Sequence, residues 1–337
     1  MKLKRKDERQ DEEYKTKNET NDKDYKKVIT VLISTIIVSL GVSVAIDSNI
    51  IDTKAQKSID ANNKAEAKEL EDFKLKQNEK KNQETKVVQA AQKRIDSISK
   101  KVNQLLGKNS KYYGIMYYDL TTDTQYTLNA DTAFHAASTI KVPIAMMAAD
   151  KITSNQFTRD TKIQYELSDY SGGSGSLQGK VSRGDEYSVE ELLEYMIKES
   201  DNIATAMLRR SVGDVPEFIS SATGVAMEND NNFITPKQSC MLLKKIYNES
   251  DINKEYRNIA EIMLNTNAHD RIDKYIPKSI VAHKIGDYET YVNDIAIVYA
   301  KRPYILCIYS KGMMEEGREN IAKISRAVYD VVTADKL

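Results

Sequence analysis

Two cysteines are all the chain carries, Cys240 and Cys307, and they lie far apart. No C-x-x-C spacing exists, so neither a thiolate metal site nor a dithiol redox motif is indicated. Both thiols sit in apolar stretches and read as small buried hydrophobes. Histidine is just as scarce: His135, His269 and His283 stand isolated from one another. A histidine zinc site is therefore not expected, and no metal or other cofactor is assigned. Three histidines leave a Ser-His-Asp triad open, but the G-x-S-x-G elbow that would expose such a serine is missing. An excess of one charge is missing too, since Lys+Arg and Asp+Glu both count 50. Nothing in that balance points to nucleic acid.

Charge is absent altogether from one run. Residues 28–46 read VITVLISTIIVSLGVSVAI. At ~1.5 Å per residue this run spans ~28 Å, close to the ~30 Å hydrocarbon layer. Lys26 and Lys27 abut its front, with Lys15, Lys17 and Lys23 before them, while only Lys54 and Lys57 follow soon after. The positive-inside rule then puts a disordered tail, residues 1–27, in the cytoplasm and the rest outside. A cleavable signal peptide is the competing reading, with Ser43-Val44-Ala45 as its small-residue site. Residues 47–85 lack both Pro and Gly and are rich in Lys, Glu, Asp, Asn, Gln and Ala. A charged, partly helical stalk is expected there.

The chain changes character near residue 86, where an active domain over 86–337 is expected. Val87, Val88, Ala91, Ile95, Ile98, Val102 and Leu105 recur at helical spacing up to Gly107. Tyr112–Leu120 and Thr124–Leu128 flank Thr121-Thr122-Asp123, a hairpin signal. Ser188-x-x-Glu191 and Thr235-x-x-Gln238 are capping boxes for helices to about Lys198 and about Tyr247. Thr290–Tyr299 and Pro303–Ser310 read as strands around Lys301-Arg302, before a last helix from about Glu316 to Thr333. Strands at both ends and helices between them give an α+β layer architecture.

Three short motifs could carry chemistry. In Ser138-x-x-Lys141, a serine opening a helix would have the lysine one turn later on the same face. A buried lysine, its pKa depressed, can take the serine's proton. The spacing alone is weak, since Ser97-x-x-Lys100 repeats it inside an amphipathic helix. Ser200-Asp201-Asn202 pairs a hydroxyl that can relay a proton with an amide that can hold a substrate. It also reads as a helix cap, and Asp201 is assigned that structural part. Lys284-Ile285-Gly286 offers a second cation and a glycine permitting close approach of a ligand.

In this order and spacing, the motifs resemble the class A β-lactamase and penicillin-binding protein superfamily. The stretches FHAASTIKVPI (134–144) and YSVEELLEYMIKESDN (187–202) carry the resemblance beyond the bare motifs. It covers residues 86–337 and implies an antiparallel sheet flanked by helices with an all-α region. It implies that Ser138 is the acylated nucleophile and Lys141 its base. Ser200 would relay the proton to the leaving nitrogen, and Asn202 would bind the substrate amide. Lys284 would support the relay and attract the substrate carboxylate. The N–H groups of Ser138 and Asp287, after Gly286, would form the oxyanion hole. A β-lactam or D-Ala-D-Ala-type peptide is the implied substrate, and a monomer anchored through residues 28–46 is expected.

Three departures qualify this. Class A enzymes carry a loop after S-D-N with a glutamate and an asparagine that position the deacylating water. Here Gly224 is followed only by VAMENDNNFI before Thr235, and Glu228 reads as part of a surface turn. Ile285 replaces the usual hydroxyl. Tyr291-Val-Asn-Asp294 has no arginine to hold a carboxylate, for which Arg271 or Arg302 are the substitutes to consider. Acylation is thus expected to survive and deacylation to be slow. Three readings follow: a β-lactamase-like hydrolase, a D-Ala-D-Ala peptidase or related acyl hydrolase, and a catalytically weak ligand-binding domain.

Overall fold

The computed structural model describes residues 53–227 and 232–334. The expected tail and membrane run (1–27 and 28–46) and Glu228 lie outside them. Among the described residues no helix is long and apolar enough to cross a membrane. The chain divides into one unit ending at Lys80 and a second from Lys81 to Leu337.

Helix α1 is Thr53–Leu106. It begins well before the apolar spacing does, because Lys, Glu, Ala and Gln are good helix formers and no Pro or Gly interrupts them. In the first unit its residues 61–80 are all exposed. In the second unit its buried stripe is Ala91, Arg94, Ile98, Val102 and Leu106. Val87, Val88 and Leu105, expected on the apolar face, remain exposed, since this stripe is a single ridge wide.

The second unit is built on a five-stranded antiparallel sheet: β1 (Tyr113–Asp119), β2 (Gln125–Leu128), β7 (Val281–Tyr288), β8 (Tyr291–Val298) and β9 (Tyr304–Lys311), in the order β2-β1-β9-β8-β7. The first and last segments therefore meet at its centre, β1 pairing with β9 along its whole length. Asp123 closes the first hairpin at φ 56°, a left-handed position that Asp tolerates. Alternation decides which core each strand residue enters. Tyr304, Leu306 and Ile308 of β9 join Ile98 and Val102 of α1 and Ile321, Ile324 and Val328 of helix α8 (Met314–Ala334). Ile305, Cys307 and Tyr309 face the helical region instead. Cys307 and Cys240 are both buried in that core as free thiols, with no disulfide between them.

That region surrounds helix α2 (Lys141–Thr153), whose residues 141–149 are all buried. Around it lie α3 (Val189–Lys198), α4 (Asn202–Val212), α5 (Val215–Thr223), α6 (Pro236–Glu249) and α7 (Lys254–Leu264). Two small ladders complete it: β3 (Phe134–His135) with β6 (Phe233–Ile234), and β4 (Lys162–Gln164) with β5 (Glu186–Ser188). Both capping boxes form. Ser188 Oγ accepts from Glu191 N at 3.2 Å, and Thr235 Oγ1 accepts from Gln238 N at 3.0 Å. The first of these starts α3, which ends where Ser200 begins the loop into the site. The expected α+β architecture, with its antiparallel sheet and all-α region, is the one observed.

Candidate active site

The edge strand β7, the start of α2 and the start of α4 converge on one cleft of about 760 Å³. Ser138, Ser200, Asn202, Lys284, Ile285, Gly286 and Asp287 all line it. Ser138 lies in a 3-10 turn, Ala137–Ile140, that leads directly into α2. Lys141 therefore follows one turn later, and its Nζ reaches Ser138 Oγ at 2.9 Å.

Lys141 is 2% exposed and its Nζ has three further partners. These are Ser200 O at 2.6 Å, Ser200 Oγ at 3.0 Å and Asn202 Oδ1 at 2.8 Å. Asn202 is oriented by its own Nδ2, which donates to Gly172 O at 2.8 Å, so Oδ1 faces the lysine. The carbonyl and amide oxygens can only accept. A neutral amine can give them its two hydrogens and turn its lone pair to the Ser138 hydroxyl. Burial lowers the Lys141 pKa from 10.5 to about 7, against the opposing pull of Asp201. A base that titrates near neutrality suits proton transfer at physiological pH.

Ser200 Oγ lies between two amines. Lys284 Nζ donates to it at 2.9 Å and to Ile285 O at 3.2 Å. Burial, and then the neighbouring Lys141, push the Lys284 pKa well below its usual value. Ser200 holds φ 57°, a strained setting for a residue with a Cβ, worth on the order of 1 kcal/mol. The strain turns its carbonyl to Lys141 and to Ser174 Oγ, which donates at 2.6 Å. Asp201 is fully buried. Its Oδ1 caps α4 through Ala204 N at 2.9 Å, and its Oδ2 accepts from Leu177 N at 2.8 Å. Its place is structural, as the cap reading has it.

Gly286 is needed for a reason the sequence did not supply. A Cβ there would lie 2.7 Å from Ala136 O and 3.0 Å from Ser138 N. The glycine lets β7 approach the protein's own Ser138 turn, before any ligand is considered. Asn293 fixes the same turn from β8, its Nδ2 donating to His135 O at 2.9 Å and Ala136 O at 3.3 Å. Gly286→Ala is expected to push β7 away from Ser138, at a cost of ~1–3 kcal/mol for overpacking. Thermal melts should show that loss together with slower acylation. An unchanged melt and rate would mean the contact is not tight.

The two candidate substitute arginines separate. Arg302 is 3.9 Å from Asp119, at the far end of β1. Arg271 is buried behind β7, donating to Asn293 O at 2.9 Å and paired with Asp287 and Asp270. It braces the Gly286–Asp287 segment and is 1% exposed, so its guanidinium is not presented to the cleft.

Two features escaped the sequence reading. The glycine-serine loop 171–176 forms a cleft wall: Gly175, at φ 112°, leaves no room for a Cβ beside Asp201, and Ser174 O accepts from Asn202 N at 3.0 Å. The run Ser-Gly-Gly-Ser-Gly-Ser was its signal. The histidines also need correcting. His269 and His283 are not isolated, their ring centroids being 6.4 Å apart with Asp273 beside both. A chain reversal between α7 and β7 brings them together, which linear spacing could not reveal.

A buried lysine on a serine hydroxyl, with a second serine between two amines, defines a serine hydrolase of the β-lactamase and penicillin-binding type. Residues 97–332 match the model of the "Beta-lactamase enzyme family". The chain belongs to that family. Among curated relatives, β-lactamase VEB-1 of Pseudomonas aeruginosa is 26% identical over 57% of this chain and 72% of its own length. β-Lactamase ROB-1 of Haemophilus influenzae is 26% identical over 65% of this chain and 78% of its own. The fold matches an acyl-enzyme complex of a PBP-A mutant with penicillin G at TM-score 0.65 and 22% identity, covering 71% of this chain and 97% of that one. It also matches the TLA-3 extended-spectrum β-lactamase at TM-score 0.64 and 24% identity, covering 70% and 98%.

Proposed function

We propose that this protein takes the acyl group of a β-lactam onto Ser138 and releases it slowly to water. The observation that carries this reading is the Lys141 amine, buried, near-neutral in pKa and 2.9 Å from Ser138 Oγ. Lys141 accepts the hydroxyl proton as Ser138 Oγ attacks the lactam carbonyl. The N–H groups of Ser138 and Asp287 receive the developing oxyanion. Ser200, held by Lys141 and Lys284, passes a proton to the leaving nitrogen, and the C–N bond breaks. Asn202 binds the substrate amide beside it. Lys284 draws in the substrate carboxylate, a part that Ile285 cannot share because its alkyl group offers no hydrogen bond.

Slow release rests on the short connection between Gly224 and Phe233. Among the described residues of the cleft lining, the one carboxylate besides Asp287 is Glu199, and it is engaged by Ser176 N at 3.1 Å. Losing a general base costs ~10²–10⁴ in rate. The same short loop favours a second reading, a D-Ala-D-Ala peptidase or related cell-wall acyl hydrolase. Residues 28–46 would anchor either enzyme in the membrane with the site outside.

The test is a chromogenic cephalosporin mixed with the full chain. We expect a colour burst of about one equivalent, then slow turnover, as the rate-limited deacylation above requires. Rapid steady turnover without a burst would overturn slow release, and no colour at all would overturn the β-lactam reading.

A further inference from the structure

We propose that His269, Asp273 and His283 form a binding site for a divalent transition-metal cation of zinc-like ligand preference, on the face of β7 opposite the cleft. One ligand atom from each of the three lies within 4.8 Å of the others. His283 Nε2 is 3.6 Å from Asp273 Oδ2, and His269 Nδ1 contacts the same carboxylate. Metal bonds of ~2.0–2.2 Å in a tetrahedron place neighbouring ligand atoms roughly 3.3–3.6 Å apart. The His283–Asp273 spacing fits that edge, whereas His269 hydrogen-bonds Asp273 directly and would have to open by about an ångström around a cation.

Two independent observations point to a ligand. First, His283 Nε2 and Asp273 Oδ1 are both buried without a hydrogen-bond partner, in side chains 1% exposed. Buried polar atoms are rarely left so. Second, the other ring nitrogen of His283 is already oriented. Its Nδ1 lies 3.1 Å from each carboxylate oxygen of Asp294. A carboxylate on one nitrogen fixes the tautomer, and the lone pair of the other is then free for a metal. Asp294 Oδ2 also accepts from Ile272 N at 3.0 Å, fixing the backbone next to Asp273. An imidazolium sandwiched between the two carboxylates is the simpler alternative. At 3.6 Å the Asp273 carboxylate is beyond hydrogen-bond range but within ion-pair reach, and against burial both carboxylates push the His283 pKa up, so a cation would bind by displacing the Nε2 proton.

His269 is 37% exposed, which supplies an entry path and leaves room for a water as fourth ligand. Side chains alternate along a strand, so His283 and Lys284 point to opposite faces of β7. A bound cation would tie the segment after α7 to the strand that carries Lys284, Gly286 and Asp287.

The experiment strips the full-length chain with a chelator and titrates zinc chloride by calorimetry, with thermal unfolding in parallel. One equivalent should bind and raise the melting temperature. Cobalt(II) in its place should give the intense visible bands of a low-coordinate nitrogen and oxygen site. His269→Ala, at a partly exposed position, should keep its circular-dichroism spectrum and lose the stoichiometric site. Asp294→Asn should weaken binding by ~10–100-fold. No zinc-dependent heat or melting shift in the native chain, or equal binding by His269→Ala, would overturn the proposal.

Discussion

Replacing Lys141 by alanine is expected to slow acylation of Ser138 by ~10²–10⁴-fold, the usual loss on removing a positioned general base. Among the described residues, no other basic side chain hydrogen-bonds Ser138 Oγ, and Lys141 does so at 2.9 Å. The pH dependence should change with it. Burial holds the Lys141 pKa at about 7. The amine serves as a base only when neutral, so the native acylation rate should rise as pH increases through about 7 and level off above it. The variant should lose that limb. The fold should survive, because the substitution removes a costly buried amine along with its hydrogen bonds. Ser200 O keeps Ser174 Oγ as a donor, while Asn202 Oδ1 loses its partner, at ~1–3 kcal/mol. Quenched-flow mass spectrometry gives the rates and thermal melts give the stability. An unchanged rate in a folded variant would remove Lys141 from the mechanism.

Ser138→Ala should abolish the covalent adduct completely and leave stability within ~0.5 kcal/mol. The hydroxyl is only partly buried, and among the described residues its hydrogen-bond partner is Lys141. Ser97→Ala is the matched control. Ser97 has the same spacing to a lysine, but its hydroxyl is spent on Lys93 O at 2.8 Å within α1. Its loss should change nothing in the labelling. Labelling that persists in Ser138→Ala would mean another nucleophile.

Much of this was legible in the sequence because the informative signals were local. Capping boxes at Ser188 and Thr235 need only four residues to form, and they fix where α3 and α6 begin. Ser138 and Lys141 share a turn, so their spacing allowed contact, and the neighbouring motifs singled them out from Ser97 and Lys100, which have the same spacing. Harder to see were features that depend on chain segments meeting. Gly286 looked like room for a ligand, and its real neighbours are Ala136 and Ser138, about 150 residues earlier. The stretch Tyr291–Asp294 drew notice only for lacking an arginine, yet its Asn293 pins the Ser138 turn from across the sheet. His269 and His283 seemed unrelated until a reversal after α7 joined them. The same limit applies to Arg271 and Arg302, two equal candidates that tertiary structure places at opposite ends of the domain. Helix α1 shows the reverse case. Its polar first half carries no apolar stripe, so periodicity understated a helix that composition alone sustains.

The most direct measurement is peptide-level mass spectrometry of the full chain after brief exposure to benzylpenicillin. One intact penicilloyl group per chain is expected, on the peptide containing Ser138, persisting long after excess drug is removed. An adduct on a different residue, or an unmodified chain with the drug intact, would contradict it.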